Sequence, residues 1–199
     1  MATMLEPEFH TFDGPNAGKI RSAGRAVFNA DVAIMSPEDR PLANGEVGEI
    51  CVRGPMVMQG YWGQPELTRD ALRGGWMHTG DAGYLDDDGF VFLVDRVKDM
   101  IITGGENVYS AAVENVIYQH PDVHECAVIG IPSEEWGEAV HAIVVPVVGV
   151  QLDTRQLLDH CREQLAGYEC PKSIDVRDEE LPKSGVGKIL KAQLREELR

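Results

Sequence analysis

The spacing of apolar positions changes once along this chain, near residue 97. Before that point the runs are short and strand-like. "VFNADVAIM", Val27 to Met35, has Val27, Val32 and Ile34 apolar. "EICVRG" follows a turn-rich connector and reads as a second strand. "GYLDDDGFVFLVDR" reads as a hairpin, since Phe90, Phe92 and Val94 recur at period two behind Asp88-Gly89, a favoured tight-turn pair. A small helical piece is expected near Pro65 to Leu72. Residues 1 to about 24, rich in Gly, Pro and polar side chains, read as irregular.

After Arg96 the spacing lengthens. "DMIITGG" is a short strand. "SAAVENVIYQH" places Val113, Val116 and Ile117 on one side of a helix, with Ser110 as its candidate cap. "HECAVIGIP" and "AVHAIVVPV" are apolar strands. "DTRQLLDHCREQL" is amphipathic, and Asp153 and Gln156 have capping-box spacing at its start. A last helix carries Leu190, Leu194 and Leu198. The expected fold class is α+β: a β-rich, distorted barrel-like region over 1–96, then a small α+β domain over 97–199 with a short sheet flanked by helices.

Composition narrows the function. With 199 residues and 43% hydrophobic content the chain is globular. It has no apolar run long enough for a membrane span, and its N-terminal stretch does not read as a signal peptide. A net charge of −15 argues against nucleic-acid binding and means that an anionic ligand needs a local cationic pocket. Cys51, Cys126, Cys161 and Cys170 form no Cys-x-x-Cys spacing, so free thiols in a reducing cytoplasm are expected. His120 and His124 are separated by Pro121 and Asp122, which interrupt the helix a zinc pair would need. Asp86-Asp87-Asp88-Gly89 lacks the distal glutamate of a calcium loop and fits a tight turn better. No metal site is expected.

"LPKSGVGKILK", Leu181 to Lys191, presents Lys188 behind two glycines. A P-loop is excluded, because Pro182 stands where its first glycine belongs and Ile189 where its hydroxyl residue belongs. Taken alone, Lys188 is a solvated lysine at the start of a helix.

Five stretches in order carry a resemblance: "GEVGEICVRGPMVMQGYW", "WMHTGDAGYLDDDGFVFLVDRVKDMIITGGENVY", "VIGIPSEEWGEAV", "YECPK" and "LPKSGVGKILK". Over residues 20 to 199 the chain resembles the adenylate-forming acyl-CoA synthetases, and among them the fatty-acyl-CoA ligases. The phosphate loop and Tyr-Gly-x-Thr-Glu stretch that the family carries upstream are not in this sequence. The resemblance therefore implies the C-terminal part of such an enzyme, lacking an N-terminal domain and inactive alone. It implies activation of a small-molecule carboxylate with ATP, then displacement of AMP by coenzyme A. Mg²⁺ would accompany the ATP, with ligands outside these residues.

By position, Lys188 matches the family's catalytic lysine, Asp81 the ribose-binding aspartate and Arg96 a nucleotide-contacting arginine. Arg96 could equally pair with Asp95 or Asp99. Lys98 matches the hinge about which the small domain rotates. Gly104, Gly105 and Glu106 match a segment lining the pantetheine tunnel, though two glycines also make an ordinary turn. Trp136 reads as packing. Ser110 and Ala112 replace the proline and acidic residue usual at that helix start. A peptide-synthetase adenylation domain, luciferase-like chemistry and a non-catalytic binding module are the alternatives.

Overall fold

The computed structural model describes residues 1–198. It divides into two compact units, Met1–Lys98 and Asp99–Arg199.

In the first unit β1 (Thr3–Met4) pairs with β2 (Arg25–Ala26). The main sheet is an antiparallel meander of β3 (Asp31–Met35), β4 (Gly48–Arg53), β5 (Met77–Leu85) and β6 (Val91–Arg96), with α1 (Pro65–Ala71) between β4 and β5. Ile34, Ile50 and Val91 form its buried cluster. The first strand is shorter than its sequence pattern: Val27 to Ala30 form a turn, closed by Ala30 N–H donating to the Val27 carbonyl at 2.9 Å. The β5–β6 connection is also not a two-residue Asp-Gly turn. Asp86 N–H donates to the Phe90 carbonyl at 3.0 Å and Gly89 N–H to the Asp86 carbonyl at 3.0 Å, with only Gly89 at positive φ. That is a three-residue loop closed by a glycine bulge. Lys19 Nζ sits 2.5 Å from Asp86 and 2.6 Å from Asp88, so an ammonium occupies the carboxylates that resembled a calcium loop.

The second unit is built on β9 (Val123–Ser133) and β10 (Gly137–Pro146), an antiparallel pair in continuous register from Gly137↔Ser133 to Val145↔Glu125. β7 (Ile101–Thr103), β8 (Glu106–Val108) and β11 (Ser173–Val176) complete the sheet, with β11 parallel to β10. Both faces of the central pair are apolar, which is why these strands read as unbroken apolar runs. One face, with Val128, Val140, Ala142 and Val144, is covered by α2 (Ser110–Ile117) and α3 (Thr154–Gln164) through Val113, Ile117, Leu157 and Cys161. The other, with Ala127, Ile129 and Ile143, is covered by Leu181 and by Leu194 of α4 (Lys191–Glu197).

Asp153 caps α3 as expected, its carboxylate accepting from Arg155 N–H at 2.8 Å. Ser110 does not cap α2. It is the first helical residue, fully buried, and its hydroxyl accepts from Lys191 Nζ at 2.7 Å. Of the last helix's three leucines only Leu194 is buried, because Leu190 and Leu198 lie at the two caps.

His141 on β10 is 6% exposed. Its Nδ1 lies 2.7 Å from Ser173 Oγ and its Nε2 has no hydrogen-bond partner among the described residues. Burial holds its pKa below the ordinary 6.5; nearby Asp175 opposes this and Arg177 reinforces it. The folded imidazole therefore stays neutral where the unfolded one takes a proton. Its contribution is full above pH 6.5, drains as pH falls below that value, and levels off below the depressed folded pKa. Hydrogen-exchange protection of the β10 amides is expected to drop between pH 7.5 and 5.5. His141→Asn, which keeps a partner for Ser173 but does not titrate, should flatten that drop; an unaltered drop would assign it to another group.

Candidate active site

The candidate residues fall in two clusters, one in each unit. In the first, Asp81 lies on β5 between two register irregularities. β4 jumps from pairing Glu49 with Ala82 to pairing Cys51 with His78, and β6 shifts between Ala82 and Gly83. Bulges of this kind re-aim side chains. Here hydrogen bonds hold the bulge: Gly80 N–H donates to Glu49 Oε1 at 2.9 Å, Thr79 Oγ1 to the Ile50 carbonyl at 2.7 Å, and Asp81 N–H to Thr79 Oγ1 at 3.1 Å.

The same register sets Asp81 opposite Arg96, and their side chains meet, Arg96 Nε to Asp81 Oδ1 at 2.8 Å. Two residues singled out separately in the sequence are thus one ion pair. The Arg96 backbone N–H donates to Asp95 Oδ1 at 2.7 Å, and Asp99 pairs with Arg195 at 2.9 Å. Asp81 Oδ2 is left without a partner among the described residues. A half-exposed guanidinium beside a carboxylate oxygen can receive a phosphate and a hydroxyl side by side. Lys98 follows in a 3₁₀ turn, Val97–Asp99, with its side chain exposed.

The second cluster is arranged around Lys188, which stands in a loop rather than at the first turn of a helix. Ser184 N–H donates to the Lys188 carbonyl at 2.8 Å and Gly187 N–H to the Ser184 carbonyl at 2.8 Å. This repeats the β5–β6 loop, with Gly187 at φ +81, a conformation that a side chain would strain. Carboxylates with little exposure hold both legs. Glu125 Oε2 accepts from Leu181 N–H at 3.1 Å while Oε1 pairs with Lys183. Glu114 Oε1 pairs with Lys191 Nζ at 2.7 Å and accepts from Val128 N–H at 2.7 Å. The Lys183 and backbone hydrogen bonds keep the Glu125 carboxyl below its ordinary pKa against its own desolvation, which pushes the other way. Lys188 Nζ makes no hydrogen bond or ion pair among the described residues. The molecule neutralises the neighbouring lysines and leaves this one free.

Gly104 and Gly105 form the two-residue turn between β7 and β8, both at positive φ (+59 and +87). That is the turn type whose twist matches paired strands and which favours glycine at both centres. Gly104 also sits under Trp136: its N–H donates to the Trp136 carbonyl at 2.9 Å, and a Cβ added there would lie 2.9 Å from the indole ring. Gly104 and Glu106 border a cleft of about 230 Å³ whose other walls are Thr103, Trp136, Gly167, Tyr168 and Lys172. Tyr168 and Lys172 belong to "YECPK", a stretch quoted for its resemblance in which no residue had been singled out. A cleft with two aromatic walls, one ammonium and one carboxylate suits a thin, partly apolar ligand with polar groups along it.

Two family descriptions match the chain: AMP-binding enzyme over residues 3–62, and AMP-binding enzyme C-terminal domain over residues 112–188. The chain belongs to the AMP-binding enzyme family. Among its relatives, a feruloyl-CoA synthase of an Amycolatopsis species is 52% identical over 179 residues, 90% of this chain and 36% of the relative. A long-chain-fatty-acid–CoA ligase of Escherichia coli O157:H7 is 46% identical over 178 residues, 89% of this chain and 31% of the relative. Among solved structures, o-succinylbenzoate CoA synthetase of Bacillus subtilis, in complex with its acyl-adenylate intermediate, superposes with a TM-score of 0.86 at 37% identity. That match covers 98% of this chain and 38% of the other. The chain thus spans about a third of the length of the curated relatives it matches.

Gly104→Ala puts a methyl group in a left-handed turn and against the Trp136 ring. It should destabilise the second unit by about 1–3 kcal/mol and shift Trp136 fluorescence, measured by denaturant unfolding. Unchanged stability and emission would mean that the turn accommodates a side chain beside Trp136.

Proposed function

We propose that this chain supplies the C-terminal working parts of an ATP-dependent acid–thiol ligase. Such an enzyme joins a carboxylate to coenzyme A through an acyl-adenylate and releases AMP and pyrophosphate. The observation that carries the reading is the unpartnered Lys188 ammonium, presented by a hairpin whose other lysines are neutralised. When a carboxylate oxygen attacks the α-phosphorus of ATP, two anions meet and the pyrophosphate leaves with the bonding electrons. A compact ammonium that touches both carboxylate and α-phosphate lowers that barrier.

Residues 1–96 are then the tail of the large nucleotide-binding domain, with Asp81 receiving the ribose hydroxyls and Arg96 contacting the nucleotide. Residues 97–199 are the small mobile domain, with Lys98 at its hinge. The cleft beside Gly104, Gly105 and Glu106 takes the pantetheine arm of coenzyme A, whose thiolate attacks the acyl carbonyl and expels AMP. Mg²⁺ enters with ATP, bound by residues outside this chain. The free buried thiols fit a reducing compartment, the cytoplasm. No helix among the described residues is long and apolar enough to cross a membrane. We read the acid as a fatty acid. The higher identity to the feruloyl-CoA synthase favours an aryl-propenoic acid as the second reading.

The test is a chimera. Residues 1–199 replace the matching third of the Amycolatopsis feruloyl-CoA synthase, with the 199-residue chain alone as control. The chain alone should release no pyrophosphate from ATP and a panel of acids. The chimera should release it, and Lys188→Ala should slow that step roughly 10²–10³-fold. Supplied with ready-made acyl-adenylate and coenzyme A, the same variant should form thioester at nearly the normal rate, and Lys188→Arg should restore adenylation only in part. Equal loss in both half-reactions would remove Lys188 from its assigned step.

A further inference from the structure

In the first unit, behind the bulge that carries Asp81, three metal-ligating side chains of different kinds meet. Glu49 and Cys51, two apart on β4, point to the same face of the sheet, and Cys51 pairs in register with His78 on β5. Cys51 Sγ lies 3.3 Å from His78 Nδ1, and His78 Nδ1 lies 2.8 Å from Glu49 Oε2. One ligand atom from each falls within 4.8 Å of the others. Cys51 is fully buried and the His78 side chain is 5% exposed.

Around them stand Asp39 and Arg73. His78 turns its second nitrogen toward Asp39, Nε2 to Oδ1 at 3.9 Å. Arg73 bridges Asp39 at 3.1 Å and Glu49 at 3.2 Å. Asp39 is also the one described non-glycine residue at positive φ (+57), a conformation costly enough to need support from its surroundings.

We propose that Glu49, Cys51 and His78 form a binding site for a transition-metal cation of the zinc class. The donor set is one sulfur, one imidazole nitrogen and one carboxylate oxygen, which suits Zn²⁺ above harder ions. With metal–ligand bonds of about 2.0–2.3 Å, a tetrahedral ion holds such donors about 3.3–3.6 Å apart. The present spacings would open by a few tenths of an ångström at Cys51–His78 and about half an ångström at His78–Glu49, and the Cys51–Glu49 donors, within 4.8 Å of each other, would settle into the same range. Asp39 would then accept from His78 Nε2–H, the arrangement that fixes a metal-bound imidazole.

Charge favours the ion as well. Asp39 and Glu49 carry two negative charges against the single positive charge of Arg73. With a divalent ion bound, Glu49 and a Cys51 thiolate neutralise the metal, and Arg73 keeps Asp39. The fourth position is open, so this is a three-ligand site rather than a closed structural one. Burial, and then the neighbouring Glu49 charge, push the metal-free thiol up to about 12. Because a metal binds the thiolate and not the thiol, uptake releases the Cys51 proton and weakens as pH falls.

Co²⁺, added to the 199-residue chain, reports the site directly. One equivalent should bind with intense tetrahedral bands and a thiolate-to-cobalt charge-transfer band, release a proton, and be displaced by Zn²⁺. Cys51→Ser should abolish the charge-transfer band. Asp39→Asn should weaken binding about 10–100-fold while leaving the band in place. No thiolate band in the unaltered chain, or a band that survives in folded Cys51→Ser, would overturn the site. Should Cys51→Ser fail to fold, Glu49→Gln decides the matter with the core sulfur in place: unchanged affinity for Co²⁺ overturns the proposal, and a loss of at least about tenfold supports it.

Discussion

The second unit depends on one constraint, that the β9–β10 pair has no polar face. Val128, Val140, Ala142 and Val144 look one way while Ala127, Ile129 and Ile143 look the other. At about 1.5–3 kcal/mol for each large apolar side chain left wet, exposing either face would cost an amount comparable with a small domain's whole stability margin of about 5–15 kcal/mol. Helices α2 and α3 cover one side. The chain's last segment must return to cover the other, and Leu181 and Leu194 are its anchors. The Lys188 loop is the short stretch between those anchors, so its position follows from hydrophobic cover.

Polar groups then fix what packing leaves loose. Glu114, Glu125 and Glu138 each reach a backbone N–H, those of Val128, Leu181 and Ile102. The first two also hold Lys191 and Lys183. A carboxylate withdrawn from water is costly unless it is both paired and hydrogen-bonded, and Glu114 and Glu125 satisfy both conditions. In the first unit Glu49 has the same double role, supporting the Gly80 N–H with one oxygen and facing His78 with the other. The bulge that aims Asp81 rests on it.

Much of the fold was legible because the governing patterns are local. Strands of period two, the Asp153 cap and the amphipathic face of α3 need only near neighbours to be seen. The errors are equally physical. Val27 to Ala30 extended the apolar run but belong to a turn, since the chain turns there to enter the sheet at Asp31. Ser110 has a capping side chain, yet burial beside Lys191 gave its hydroxyl a partner 81 residues away. Asp88-Gly89 suggested a two-residue turn, but only Gly89 is at positive φ. Of the site, the glycines and Lys188 could be placed from ordered motifs. The Asp81–Arg96 contact could not, because strand register creates it. The Glu49, Cys51 and His78 grouping was invisible for the same reason: its members sit 27 and 29 residues apart on neighbouring strands, where no spacing rule applies.

The contrast between Lys188 and its neighbours has an entropic side. Lys183 and Lys191 have already surrendered their side-chain freedom to carboxylates, whereas Lys188 keeps its own at the end of a fixed turn. Immobilising a lysine costs up to about 2 kcal/mol, and at Lys188 that cost falls due only when an anion arrives. A single solvent-exposed charge contact is worth about 0–1 kcal/mol net of that cost. Two anionic groups met by one ammonium share the one loss of freedom, so the second contact adds attraction without a second entropic cost. Lys188 therefore stands to gain more from two anions held together than from either alone.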